Sequence, residues 1–321
     1  MARIRSLFLL VPVLVTLGAV GAVGWGPGAR SGGPDGAAVA LAGLSRPCGA
    51  DTCLTCPGGE RPFAPAGVAF GASGTLYVTD AVNGSVFRLE GDRCVTIAEG
   101  WSRPYGVAAL DDGRVCVSHF TSDDPLTRQA AVSCLDGAGW GLAARGLGSR
   151  VDGLAATPEG IWLAAWEDTP VESRDGVLRL LAGNRVARED RLEDGLPRFL
   201  AAGPDGGLAI TVVREDASGI TGGAVIVRSP DGRFERLVEA LDAPAGVAWS
   251  DQGIWIADDG SGELLLLMTH GRRLVHPRNL QGAAGLAVSA EGDICVAEPG
   301  LSRIVCTRPE RMLGKETQHE E

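Results

Sequence analysis

Two positions in a repeated pattern of this sequence carry side chains that can do chemistry. Asp80, His119, Glu167, Asp258, Asp259 and Glu298 each close or follow an apolar run such as "TLYVTD" or "DICVAE". Tyr105, Asp152 and Arg198 each stand at the head of the apolar run that comes before. Carboxylates are hard oxygen donors. A set made of Asp80, Asp152, Glu167, Asp258 and Glu298 therefore suits a divalent metal, Ca²⁺ or Mg²⁺ first, and the imidazole of His119 extends the choice to Zn²⁺ or Mn²⁺. Such a metal would polarise a carbonyl or acidify a bound water. His119 or Tyr105 would serve as the base, and Arg198 as the anchor of a substrate carboxylate. The architectural alternative is plainer. A carboxylate at a strand end accepts backbone N–H groups of a nearby turn, His119 is a histidine with satisfied ring nitrogens, and Arg198 is the ion-pair partner of Asp152.

The elements that would position these groups are read from self-similarity. "PAGVAFGASGTLYVTD" at 65–80 returns as "PYGVAALDDGRVCVSH" at 104–119, and four further times, ending with "AAGLAVSAEGDICVAE" at 283–298. The matched positions Gly67, Gly106, Gly153, Phe199, Gly246 and Gly285 are separated by 39, 47, 46, 47 and 39 residues. Each unit is an apolar run, a turn with Gly or Asp-Gly, a second run, and then a third and fourth run. That is an antiparallel meander of four strands, repeated at the period of a propeller blade. The expected fold is all-β, a six-bladed β-propeller of four-stranded antiparallel blades.

Entry to an innermost strand and exit from the second strand fall on one face, so the nine residues named above surround one mouth of the central channel. The sixth unit reaches only a third strand at "RIVCTR" (303–308). A strand from the N-terminal side, "AAVALAGLS" (37–45), is expected to complete it and close the ring, which removes free sheet edges. Trp162, Trp249 and Trp255 read as packing between blades.

At "GVAFGASGTLYVTDAVNGSVFRL" the chain resembles an NHL-type repeat. Residues 65–308 resemble the six-bladed superfamily of streptogramin lyases, gluconolactonase-like enzymes, strictosidine synthase-like proteins and peptidyl-hydroxyglycine lyases. The resemblance implies the fold, and for activity it implies lyases, lactonases and plain binding modules alike. A streptogramin lyase would need a paired His and Glu late in the chain at the channel mouth. Of the four histidines, the late ones His270 and His276 fall in or beside the third and fourth strands of the fifth unit, away from that mouth, which counts against that activity.

The chain has eight cysteines. Cys116 and Cys295 sit mid-way along second strands, and Cys134 and Cys306 at the matching place in third strands. Neighbouring antiparallel strands bring such pairs together, so Cys116–Cys134 and Cys295–Cys306 are expected as disulfides. Cys48, Cys53 and Cys56 lie in "RPCGADTCLTCPGGERP", and Cys94 begins an outer strand that can receive one of them; which one stays open. As a metal site, "CLTC" lacks a second Cys/His pair. As a haem attachment it has Pro57 where a His is required, and as a redox motif it lacks a βαβ setting. A disulfide-tied strap is the favoured reading, with redox and metal roles as alternatives.

Four segments result: a signal peptide or N-terminal membrane anchor (1–30), a closing strand with the cysteine strap (31–64), the propeller (65–310) and a charged tail (311–321). Arg3 and Arg5 followed by the apolar run Leu7–Trp25 mark export. The body then folds in a periplasmic or secreted, disulfide-permissive space and touches a membrane only through that first segment. A net charge of −11 excludes a nucleic-acid partner and favours a cationic or metal-bound ligand. Three functions follow: a metal-dependent lyase or hydrolase acting on a small molecule at the mouth, a non-catalytic propeller that binds a protein partner in an extracytoplasmic or membrane complex, and a redox-associated propeller using the strap. Substrate, partner and oligomeric state are not encoded in any motif.

Overall fold

The structure is a computed structural model that describes residues 40–42, 44–48, 51–56, 61–91, 93–168, 174–193, 195–268, 273–277 and 279–308. The expected leader or anchor and the charged tail lie outside the described residues, as does His270; of His276 only the backbone is described, in the strand Arg273–Pro277. Among the described residues the only helical element is the short turn Pro299–Leu301, and no helix is long and apolar enough to cross a membrane.

Each repeat folds into an antiparallel sheet, and six sheets make six blades. In blade one the strands Pro65–Phe70, Leu76–Asp80, Ser85–Glu90 and Arg93–Ala98 run from the axis to the rim in chain order. The innermost strands of successive blades, Pro65–Phe70, Val107–Ala109, Arg150–Thr157, Leu196–Ala202, Pro244–Ser250 and Leu286–Val288, touch in cyclic order, and the sixth returns to the first.

The recurring glycine of the inner strands has a steric cause. A Cβ on Gly106 would come within 2.5 Å of the Asp152 carbonyl oxygen, and one on Gly285 within 2.7 Å of the Ala66 carbonyl. Neighbouring inner strands meet backbone to backbone, and only a residue without a Cβ permits that approach. Buried hydroxyls of second strands bridge the same seams. Thr79 accepts from Gly67 N and donates to the Tyr105 carbonyl at 2.5 Å. Ser118 accepts from Gly106 N and donates to the Val151 carbonyl at 2.9 Å. Thr211 links Phe199 N to the Ala245 carbonyl in the same way. Trp162 and Trp255 are fully buried between blades, as their packing reading requires.

Closure by an N-terminal strand is observed, with a different strand from the one expected. Asp51–Thr55, inside the cysteine strap, pairs with Arg303–Thr307 as the fourth strand of blade six, and Leu44–Cys48 pairs outside it. Of the segment 37–45, Ala40–Ala42 instead adds a fifth strand to the rim of blade one, opposite Arg93–Val95. The apolar pattern of 37–45 suits either rim, and it was the later, more polar "DTCLT" that found an edge with all its partners unpaired.

Cys116–Cys134 and Cys295–Cys306 form disulfides as expected, with Cα–Cα distances of 4.0 and 4.1 Å. Cys56 pairs with Cys94 across the seam of blades six and one. Cys53 is disulfide-bonded as well, and no described cysteine is free; the Cys48 side chain lies outside the description. Because Cys56 bonds to Cys94, "CLTC" is not closed on itself, which removes the geometry a C-x-x-C redox centre requires. These disulfides fit an oxidising, extracytoplasmic compartment.

Candidate functional site

Strand register places the sequence-selected residues at one mouth, as their periodicity requires. Pro65 pairs with Asp80, Arg150 with Trp166, and Pro244 with Asp258. What happens at that mouth differs from blade to blade.

On blades one, five and six the carboxylates are consumed by the architecture. Asp80 is fully buried; its Oδ1 accepts from Ala64, Val82 and Asn83 N–H groups and its Oδ2 from Asn83 Nδ2. Asn83 in turn donates to the Arg61 and Pro62 carbonyls, so this turn fastens the end of the strap to blade one. Asp258 accepts from Asp242 and Ala243 N–H groups, Asp259 from Ala283 N, and Glu298 from Gln281 N and Arg303 Nε. Each acid thus holds a linker that enters an inner strand, its own blade's or the next.

Between blades two and three the mouth opens into a cavity of about 220 Å³. Its polar lining is basic: Arg103, Arg128, Arg150 and Arg174, against one acid, Asp168. Tyr105, His119, Phe120 and Trp166 supply rings. Arg150 lies between two of them, 4.9 Å from the Tyr105 centroid and 4.8 Å from that of Trp166; Arg174 sits 5.5 Å from the Trp166 ring. Trp166 is itself fixed by its indole N–H, which donates to the Pro197 carbonyl. Cation–π stacking on a buried, hydrogen-bonded indole holds the guanidinium of Arg150 in one orientation. The net negative charge of the chain pointed to a cationic or metal-bound ligand, and the pocket is the reverse. Total charge is a sum over the whole chain and does not set the sign of one cleft.

Arg150 also pairs with Asp152, which is fully buried and whose Oδ2 has no hydrogen-bond partner. Burial pushes the Asp152 carboxyl up, against the opposing pull of Arg150 and Arg198. Burial works against the Arg150 charge too, but Asp152 outweighs it and holds the guanidinium firmly protonated. The expected Asp152–Arg198 ion pair is not formed: Arg150 takes that place, and Arg198 stacks 5.9 Å from the Phe199 ring without lining the cavity. Glu167 is engaged by Arg179 and Arg191. Burial would push it up, but hydrogen bonds and charges from those two arginines hold it below the usual carboxylate range.

His119 lines the cavity with both ring nitrogens occupied. Nδ1 donates to the Phe120 carbonyl at 2.9 Å in the tautomer that leaves Nε2 to accept from Ser133 Oγ, also at 2.9 Å. The ring rests 4.6 Å from the Trp101 centroid. Burial holds its pKa below the ordinary histidine value, so it is neutral near pH 7, and no lone pair is free to take a proton from a ligand. Tyr105 differs: it lines the cavity, and its hydroxyl has no hydrogen-bond partner among the described residues.

The structure therefore brings Tyr105 and His119 to one cavity and leaves Asp80, Glu167, Asp258 and Glu298 outside its lining, with Asp152 buried behind Arg150. Among the described residues no three His, Cys, Asp or Glu side chains converge as a metal site requires. Four of the five carboxylates have their oxygens held by N–H groups or guanidiniums, and Asp152 is buried behind Arg150, apart from the others, so the five do not fit the Ca²⁺ or Mg²⁺ set expected of them. Arg103, Arg128, Arg150, Arg174 and Trp166 were not selected from the sequence. The available signal was the nine-residue connection 121–129 between second and third strands of blade two, against four residues, 81–84, in blade one.

No protein-family model and no curated protein matches the chain. Solved structures do. A gluconolactonase from Xanthomonas campestris superposes with a TM-score of 0.59 at 14% identity, covering 84% of this chain and 95% of that one. Virginiamycin B lyase from Staphylococcus aureus, solved with quinupristin, gives 0.56 at 17% identity over 79% of this chain and 84% of the lyase. A chain of a nidogen/laminin complex gives 0.57 at 14% identity over 74% and 94%. At these identities the likeness establishes the six-bladed propeller fold and nothing finer.

Proposed function

We propose that this chain is an exported propeller that binds a small molecule in the cavity between blades two and three, without a protein-held metal. The observation that carries the reading is the fixed stack Tyr105–Arg150–Trp166–Arg174 along one wall of a mouth-face cavity. Aromatic rings with a few oriented polar groups are the ordinary composition of a ligand site. The disulfides support the exported part of this reading.

Ligand-observed NMR with a fragment set tests this. Hits should weaken with Arg174→Ala, a half-exposed pocket residue, and persist with Arg114→Ala on the turns of the opposite face. An absence of hits, or hits insensitive to Arg174→Ala, would sink the proposal.

A catalytic version rests on Tyr105, the one group of the expected catalytic trio with a free polar atom in the cavity. A phenol beside a fixed guanidinium can hand a proton to, or take one from, a bound substrate, as a lyase or hydrolase requires. Gluconolactonase and virginiamycin B lyase show that this fold carries such activities, while the nidogen chain shows it in a protein complex. Tyr105→Phe separates the two versions: turnover lost with binding retained supports the enzyme, and unchanged binding with no turnover in the parent protein supports recognition alone.

A further inference from the structure

Resting on that reading of the cavity, we infer that its ligand is a small organic oxyanion, a carboxylate or phosphate attached to a short planar or apolar body, and that Arg103 and Arg128 hold the anionic group.

The argument is an accounting of charge around the pocket. Arg150 has Asp152, and Arg174 has Glu215 at 2.9 Å and Asp168 at 3.7 Å. Arg103 and Arg128 have no carboxylate partner among the described residues; Arg128 only stacks 4.9 Å from the Phe120 ring. The nearby acids of the 121–129 connection are already engaged. Asp123 accepts from Ser102 Oγ, and Asp124 accepts from Leu126 N and Thr127 Oγ1 within its own turn. Arg103 and Arg128 are thus left without an ion-pair partner among the described residues, in a chain of net charge −11 where acids outnumber bases 40 to 29.

Two guanidiniums without ion-pair partners on one cavity repel each other, and the planar fork of each matches the two oxygens of a carboxylate or phosphate. A metal cation is disfavoured by the same charges. Arg103 lines this cavity from a left-handed backbone, φ 46°, which a non-glycine residue adopts only at a cost. The rings of Tyr105 and Trp166 then face the rest of the ligand. A cavity near 220 Å³ limits that body to about the size of one aromatic ring with its substituent.

Isothermal titration of the full exported chain against benzoate, phenyl phosphate, inorganic phosphate and the neutral isostere benzyl alcohol tests the inference. The expected result is binding of an anionic probe at least tenfold tighter than benzyl alcohol, weakening with added NaCl. Arg103→Ala and Arg128→Ala should each reduce it about tenfold with an unchanged melting temperature, since both side chains are exposed and unpaired. Preference for benzoate or phenyl phosphate over inorganic phosphate confirms the role of the rings and ranks the two anion types. Benzyl alcohol binding as tightly as the anions overturns the anion assignment while leaving the pocket reading intact. No binding by any of the four overturns the assignment, and only the fragment screen then decides the pocket reading. Anion binding insensitive to both substitutions also overturns it.

Discussion

The two sides of the same mouth use equivalent repeat positions in opposite ways. At blades one, five and six, the acid that ends a second strand is buried and bound by backbone N–H groups, and linkers are pulled tight over the channel. At blade two His119 replaces the acid and binds its own sheet; at blade three Ala165 stands at that position, and Glu167, two residues on, turns to Arg179 and Arg191. There no carboxylate fastens the linkers to the inner strands, and the cavity exists where that fastening is missing. The missing acid does not make a cavity by itself, because blade four carries Val212 at this repeat position and lines none of it.

Breaking the closed side should have the largest effect. Replacing both Cys56 and Cys94 by Ser removes a cross-link of 38 residues that ties the strap to blade one. The chain-entropy model assigns such a loop about 4 kcal/mol. Chemical denaturation should show a loss of unfolding free energy of that order, with early proteolysis in 40–60 and with ligand binding at blades two and three retained below the transition. Unaltered stability would mean that strand pairing alone closes the ring.

The open side has its own weak point. Arg150→Ala should cost about 3 kcal/mol, because it leaves the fully buried Asp152 without its partner. The pH dependence identifies the cause. The Asp152 carboxyl is already raised by burial and rises further without Arg150. Its folded pKa then lies above the unfolded one, so the folded state binds the extra proton, and stability falls as pH climbs from the ordinary carboxylate range through the raised value. The variant should be closest to the parent at low pH and furthest at pH 8. Adding Asp152→Asn should flatten that difference; a loss independent of pH would assign the cost to packing.

Asp80→Ala is expected to lose about 2 kcal/mol, since the half-buried Ala64 and Asn83 lose the acceptor of their N–H groups. Its defect should map to the strap by hydrogen exchange at 61–64, with anion binding unchanged. A matching loss of binding would show that the two sides of the mouth are coupled.

Much of this was legible because repeats enforce it. The period of 39 to 47 residues, the inner glycines and the facing cysteines are properties of backbone register, which a pattern of apolar runs and turns specifies. The mouth itself followed from strand direction. Partner choice did not, because it depends on side-chain reach across blades. Asp152 lay within range of two arginines and took Arg150, two residues away, over Arg198. Arg103 and Arg128 lie in connections outside the repeat, where period gives no alignment. The closing strand was misplaced for a similar reason: two rims were open, and the segment 37–45 could satisfy either.

The smallest effect sharpens the comparison on the open side. His119 stands where an acid stands in blade one, and its neutral ring is hydrogen-bonded to Phe120 and Ser133. Burial depresses its folded pKa below the ordinary imidazole value. The unfolded chain therefore binds a proton first as pH falls. Stability from this group is complete above the unfolded pKa and is lost as pH drops from there through the depressed folded value. His119→Phe keeps a ring against Trp101, 4.6 Å away in the parent, but removes the titration and the two hydrogen bonds. At pH 8 it should be slightly less stable than the parent, by about 1 kcal/mol. Below pH 6 the gap should narrow as the parent loses the contribution of its histidine. Parallel stability curves across that range would show that His119 takes up protons equally in the folded and unfolded chain and that the acid sensitivity of the fold resides elsewhere. A curve that converges would place an acid-sensitive latch in the wall of the cavity, at the repeat position where the closed side keeps a carboxylate.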